Sequence, residues 1–242
     1  MKTTTSFLIA LAIIIGSIVI GRAYTYKYRA AQTIIVTGLG ESEFESDLIV
    51  WQGTLRAESK DVAEGYARIE RDKALVAEYI ASKGIEHEEV VYQFVTTSKR
   101  HEDIYSTNGN YSGQKFVGYT LSQPITIESE NVEGVEELSR EISSLIAKGV
   151  MINAYAPSYY YSKLEDVKLT LIERASADAR QRALKIAENA GAKLGSVASA
   201  KMGVFQITGA NTNEGFSAGG SLNTSSKNKK ARITMRVEYQ IK

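Results

Sequence analysis

The chain predicts an α+β fold of two-layer sandwiches, and three observations carry that reading. Apolar residues recur at helical spacing in three separate stretches, each with a capping residue ahead of it or a glycine behind it. Between them lie β-branched segments with period-two alternation. In the clearest, Ala231, Ile233, Met235, Val237, Tyr239 and Ile241 face one way, and Arg232, Thr234, Arg236, Glu238 and Gln240 the other. The order β-β-α-β-β-α-β-α-β-β contains a βαββαβ run across residues 45–161, the split pattern of ferredoxin-like folds. Inserting that unit between the opening strand and the closing elements gives mostly antiparallel sheets, each covered by helices on one face. The expected parts are a leader or anchor over 1–23, a linker over 24–32, a ferredoxin-like lobe over 45–161, and a second α/β lobe from 33–44 plus 162–242. Residues 33–242 then act as one domain.

Thr33–Thr37 opens as a short β-branched strand, read as ending in a turn at Gly38-Leu39-Gly40. A second strand covers about Asp47–Ala57. Asp61 caps a helix with Glu64 three positions on; Val62, Tyr66, Ile69, Val76 and Ile80 share one face, and Gly84 stops it. Val90–Ser98 and Lys115–Glu128 alternate as strands about a polar loop, Tyr105–Gln114, whose Asn108-Gly109 dipeptide favours a hairpin turn. Pro124 inside the second strand requires an edge or a bulge.

Asn131 caps a helix with Val135, Leu138, Ile142 and Leu145 on one face and Gly149 at its end. Val150–Tyr155 is a strand that leads to Tyr159–Tyr161. Ser162 and Glu165 have capping-box spacing and start the longest helix, which runs to about Asn189. Its packing face is read as Val167, Leu171, Ala175, Leu184, Ala187 and Ala190, with Arg174, Asp178 and Arg182 paired on the wet side. Val197–Ile207 is a strand, and Thr208–Ser226 a Gly/Asn/Ser-rich mobile loop.

Composition narrows function more than it names it. The net charge is +1, so no overall field draws nucleic acid. There is no cysteine, which removes disulfides, thiolate nucleophiles and thiolate metal sites together. Phe7–Ile20 is an apolar run of about fourteen residues, the size of a signal-peptide core. Gly21-Arg22-Ala23 offers a small-x-small cleavage site. Counting from Thr3 gives instead roughly 28 Å of uncharged helix, enough for an anchor. Both readings place the folded part outside the cytoplasm, in the periplasm or cell envelope; the remaining reading is a buried helix of a soluble protein. An uncleaved segment would hold it to the inner membrane.

The opening strand with Gly38-x-Gly40, the Leu138–Gly149 helix, the Tyr-rich strand to Tyr161 and Ser176–Gly195 (SADARQRALKIAENAGAKLG) follow one another in the order of a known family. Over about Thr33–Lys242 the chain resembles the SIMPL-domain family, exported bacterial proteins of unknown function. The resemblance implies an envelope location, a link to oxidative and other stress resistance, a two-lobed α/β fold and a tendency to self-assemble. It supplies no catalytic residues.

The residues themselves offer little chemistry. Gly38-x-Gly40 lacks the third glycine of a dinucleotide fingerprint, with Glu43 in its place, and no helix follows to receive a phosphate. His87 and His101, the only 2 histidines, flank opposite ends of one strand, too far apart for a shared metal or an acid–base pair. No Gly-x-Ser-x-Gly elbow is present; a triad would need His101 beside a serine and a carboxylate. Lys227–Arg232 is a basic strand entry without interleaved aromatics. Tyr24, Tyr26 and Tyr28 suit a membrane interface, while Tyr155 and Tyr159–Tyr161 suit either partial burial or an oligomer contact. The expectation is therefore a non-enzymatic homo-oligomer with no catalytic, cofactor-binding or metal residue assigned and no nucleic-acid partner. The alternative is a binding module for a small molecule or envelope polymer, with the 208–226 loop as its lid.

Overall fold

A computed structural model of the chain describes the backbone of residues 2–29 and 32–242, and the side chains of 11–26 and 32–242. The elements are α1 (Lys2–Arg29), β1 (Thr33–Glu45), β2 (Leu48–Ser59), α2 (Val62–Ser82), β3 (Val90–Tyr92), β4 (Thr96–Tyr105), β5 (Tyr111–Ser129), α3 (Val132–Glu141), β6 (Ile152–Ala154), β7 (Ser158–Tyr160), α4 (Leu164–Asn189), β8 (Leu194–Met202), β9 (Gln206–Gly209), β10 (Ser221–Leu222) and β11 (Asn228–Ile241). They build an α+β fold around two sheets that are antiparallel except where β10 lies parallel to β9.

In the first sheet β11 is central. It holds β1 along one edge from Thr33↔Gln240 to Glu45↔Asn228, and β8 and β9 along the other. Its alternation reads as expected: Ala231, Ile233, Met235, Val237 and Tyr239 are buried beneath α4. The second sheet has the order β3-β5-β2-β6, with β4 following β3 along β5 and β7 following β6 along β2. Counted along the βαββαβ run, that is the second, third, first and fourth strands, with every neighbour antiparallel, the ferredoxin-like arrangement. Beneath α2 and α3 it buries Trp51, Leu55, Leu121, Ile125, Ile127 and Leu138.

Caps set the helix ends. Asp61 accepts the Glu64 N–H at 3.0 Å and Asn131 accepts the Gly134 N–H at 3.0 Å. Beyond Glu141 the α3 chain tightens into a 3₁₀ stretch, Ile142–Lys148, which Gly149 ends in the left-handed region at φ 83°. The Asn108-Gly109 turn closes the β4–β5 hairpin, with Tyr105 opposite Tyr111, so the strands reach further into the predicted loop.

Several expectations are corrected. Gly38 and Gly40 are not a turn. β1 runs through them, because each lets α4 approach the strand more closely than a side chain would allow. A Cβ on Gly38 would lie 2.1 Å from the Ala175 carbonyl oxygen, and one on Gly40 2.2 Å from that of Leu171. The buried stripe of α4 is Leu171, Ala175, Ala179, Ala183 and Ala187, a strict every-fourth row; Leu184 and Ala190 are exposed. Ser162 does not cap α4, since its N–H and hydroxyl both bond the Asp47 carboxylate at 2.7 Å. The predicted 90–98 strand breaks into β3 and β4 opposite Pro124, where Tyr92 pairs Ile125 but Thr96 pairs Ser122. One extra residue bulges there, and the ladder position with no N–H falls in the gap.

At the N-terminus α1 continues through Tyr24–Arg29, where the sequence suggests a linker; residues 30 and 31 lie outside the described part. Among the described residues no helix is long and apolar enough to cross a membrane. Phe7–Ala10, which open the apolar run, lie outside the described side chains, so the leader-or-anchor reading falls partly beyond them.

Candidate functional site

The two histidines singled out from the sequence are not brought together. His87 opens a 3₁₀ turn ahead of β3, and His101 lies on β4 edge-on to Phe116 with ring centroids 5.9 Å apart. Their strand partners on β5, Ile127 beside Val90 and Phe116 opposite His101, are eleven residues apart, roughly 36 Å of extended chain. Among the described residues no group of three or more His, Asp or Glu is placed to hold a metal ion.

Surfaces are more informative. The β4–β5 ribbon stands away from the body, and every residue of β4 is exposed. Along it Tyr105 and Tyr111 meet edge to face at 6.2 Å, and Phe116 and Tyr119 at 5.1 Å. Ile104, Tyr105, Tyr111 and Phe116 are all more than two-fifths open to solvent. A two-stranded ribbon is only marginally stable in water when nothing covers it.

The Thr208–Ser226 loop, in contrast, is tied down. Gln206 is buried and engages both ends of its amide: Nε2 donates to the Ser217 carbonyl at 2.7 Å, and Oε1 accepts the Ser217 N–H and the Ser221 hydroxyl. Lys229 is 1% exposed, and its Nζ donates to the carbonyls of Asn223 at 2.5 Å and Ser226 at 2.9 Å. Burial pulls its pKa below the usual lysine range. Sequence reasoning missed Lys229 as an organiser of this loop, although the signal was there: it stands in the inward phase of the β11 alternation, two residues before Ala231.

The two sheets meet at a polar seam. Ser46 donates its N–H and hydroxyl to the Lys227 carbonyl, and Tyr159 donates its N–H to the Thr224 carbonyl at 2.7 Å. Lys227 bridges Glu133 at 2.6 Å and Glu45 at 2.8 Å, which raises its pKa above the lysine range. Of the tyrosines, Tyr159 is buried and donates its hydroxyl to Glu136 at 2.6 Å. Burial first, and that bond second, push its pKa up to about 12. Tyr161 packs against Phe44 with the rings tilted at 49° and their centroids 4.6 Å apart, whereas Tyr155 is exposed.

The outer edge of β1 is the last feature. Leu39 donates its N–H to Asp178 Oδ2 at 2.8 Å, and Arg174 reaches the Glu41 carbonyl at 2.8 Å, so α4 guards this half of the strand with side chains. Asp178 also accepts from Arg182 Nε at 2.9 Å; that bond, and then the Leu39 N–H, hold its pKa below the carboxylate range. Among the described residues the other half of the edge carries no such guard.

The fold, the glycine-lined α4 contact on β1 and the Tyr-rich strand all lie within one matched family region. A search of curated proteins finds no match. The family model that does match, described as a protein of unknown function (DUF541), covers residues 34–241, and the chain belongs to this family, SIMPL.

Proposed function

We propose that this SIMPL protein is exported to the periplasm or cell envelope and works there through its surfaces, as a self-associating module that supports stress tolerance without catalysing a reaction. The observation that carries self-association is the β4–β5 ribbon. It presents exposed aromatic and aliphatic side chains, and among the described residues its outer edge offers unpaired backbone groups. A second copy that covers one ribbon gains a symmetric equivalent of the same contact. The central strand β11 is paired on both sides, so it contributes an outward polar face and no free edge.

Export is supported by the Phe7–Ile20 run and by α1, whose Ile13, Ile14, Ile15, Ile18, Val19 and Ile20 are exposed. Such side chains suit a leader-recognition groove or lipid.

Light scattering on the full chain in mild detergent tests the assembly. The expected mass is a multiple of 26.5 kDa, and replacing residues 103–112 with a two-residue turn should return a monomer. A monomeric mass for the unmodified chain at micromolar concentration would remove the reading.

A further inference from the structure

The unguarded half of the β1 edge, together with α4, forms an open groove of about 740 Å³, lined by Ile35, Val36, Thr37, Gln181, Arg182 and Ile186. Strand geometry fixes what faces it. Leu39 gives its N–H to Asp178 and so points away from β11, while Ile241 donates to Gln32 and Ser46 to Lys227, which turns the even-numbered residues towards β11. Period-two alternation then sends the N–H and C=O of both Ile35 and Thr37 into the groove. Among the described residues none of these groups has a partner. Asp178 occupies the next donor, Leu39, and so ends the open stretch.

A strand added here would have defined neighbours on both faces. Thr37, Arg236 and Lys201 stand in one row across β1, β11 and β8. Thr37 is short, and Arg236 and Lys201 carry no ion pair among the described residues. The two carboxylates nearby are already engaged: Asp178 by Leu39 and Arg182, and Glu238 by the Thr33 hydroxyl at 2.8 Å. On the opposite face, side chains of an added strand would meet Val36 and the exposed Ile186.

We infer that this groove binds an extended peptide segment of a partner protein by β-strand addition to Ile35–Thr37, with acidic residues towards Arg236 and Lys201 alternating with apolar residues towards α4. Main-chain bonds supply affinity and the alternating pockets supply selectivity. The charge is complementary, since two free cations await a carboxylate.

The test is fluorescence anisotropy on the full chain in mild detergent, with a labelled eight-residue peptide of alternating glutamate and valine as the probe. Saturable binding that weakens with added salt is expected. Thr37→Pro removes only an outward-facing N–H, so the β11 ladder stays intact, and the affinity should fall about tenfold or more. The double change Lys201→Glu with Arg236→Glu alters no backbone group and should produce a loss at least as large. Melting curves for each variant establish that it is folded. N-methylation of every second peptide amide should abolish binding in the edge-facing register and spare it in the other. Equal binding of a lysine–valine peptide, or binding unchanged in Thr37→Pro, would overturn the inference. So would an Ile35 edge that cross-links to β4 of a second copy and takes up no peptide, since the occupant would then be another copy of the chain. These outcomes stand apart from the mass measurement, which tests self-association alone.

Discussion

Two helix-on-sheet layers in this molecule solve the same packing problem with opposite means. Under α2 and α3 the gap is filled by bulk: Trp51, Leu55, Ile127 and Leu138 are fully buried. Under α4 the gap is nearly absent: Leu171, Ala175 and Ala179 meet Gly38 and Gly40, and backbone approaches backbone. Glycines occur in both layers but yield to different things. A Cβ on Gly53 would meet the Trp51 ring at 2.4 Å, and one on Gly65 the Leu121 Cδ1 at 2.4 Å, both of them side chains. At Gly38 the obstacle is a helix carbonyl, which cannot rotate away. The bulky layer therefore suffers most from deletions, while in the close layer an added methyl meets helix backbone.

That contrast can be broken at graded cost. Trp51→Ala empties the largest side chain of the bulky layer and should cost about 3–5 kcal/mol in urea unfolding. Gly38→Ala adds a single methyl to the close layer and should cost about 3 kcal/mol, through displacement of α4. A value near zero there would mean the helix is not seated as described. Lys229→Met leaves two carbonyls of the 210–227 loop without a donor and should cost roughly 1–3 kcal/mol. Amide exchange would quicken in that loop before it does in β11. Gly65→Ala sharpens the comparison from the other side. The gain in helix propensity, about 1 kcal/mol, offsets the shift of Leu121, so the melting temperature should hardly move.

The smallest effect is at the seam joining the two layers. The Glu133 pKa is held below its usual 4.5 by Lys227, so its contribution is present above 4.5 and lost as pH falls through the lower folded value. The Lys227 pKa is raised above 10.5, chiefly by Glu133 and then Glu45, so its contribution is intact below 10.5 and lost as pH climbs through the folded value. Melting temperature should therefore be flat across neutral pH and fall at both extremes. Glu133→Gln should shallow the acid limb.

Much of the fold was legible because its signals are local. Asn131, Gly149 and the Asn108-Gly109 turn act on their immediate neighbours, and the β11 alternation records a buried face in a single segment. The misreadings share the opposite property. Gly38 and Gly40 look like a turn until α4, more than a hundred residues later, lies across them. Ser162 has the spacing of a cap, but it is taken by Asp47 from the far side of the chain. The α4 stripe was read with Leu184 inside, because leucine is more apolar than alanine; close approach to glycines selects the smaller residue instead. The β1 edge could not be read at all, since which half of a strand is left open depends on partners drawn from the other end of the sequence.

The central position of β11 sets the order in which the two cores can close. The strand that organises the first sheet follows its partner β1 with the whole ferredoxin-like layer lying between them in sequence. The ferredoxin-like layer, complete by Tyr160, has all its strands long before β11. One core can thus close while the other waits as an unpaired strand, and loss of β11 would remove the strand to which β1, β8 and β9 all pair.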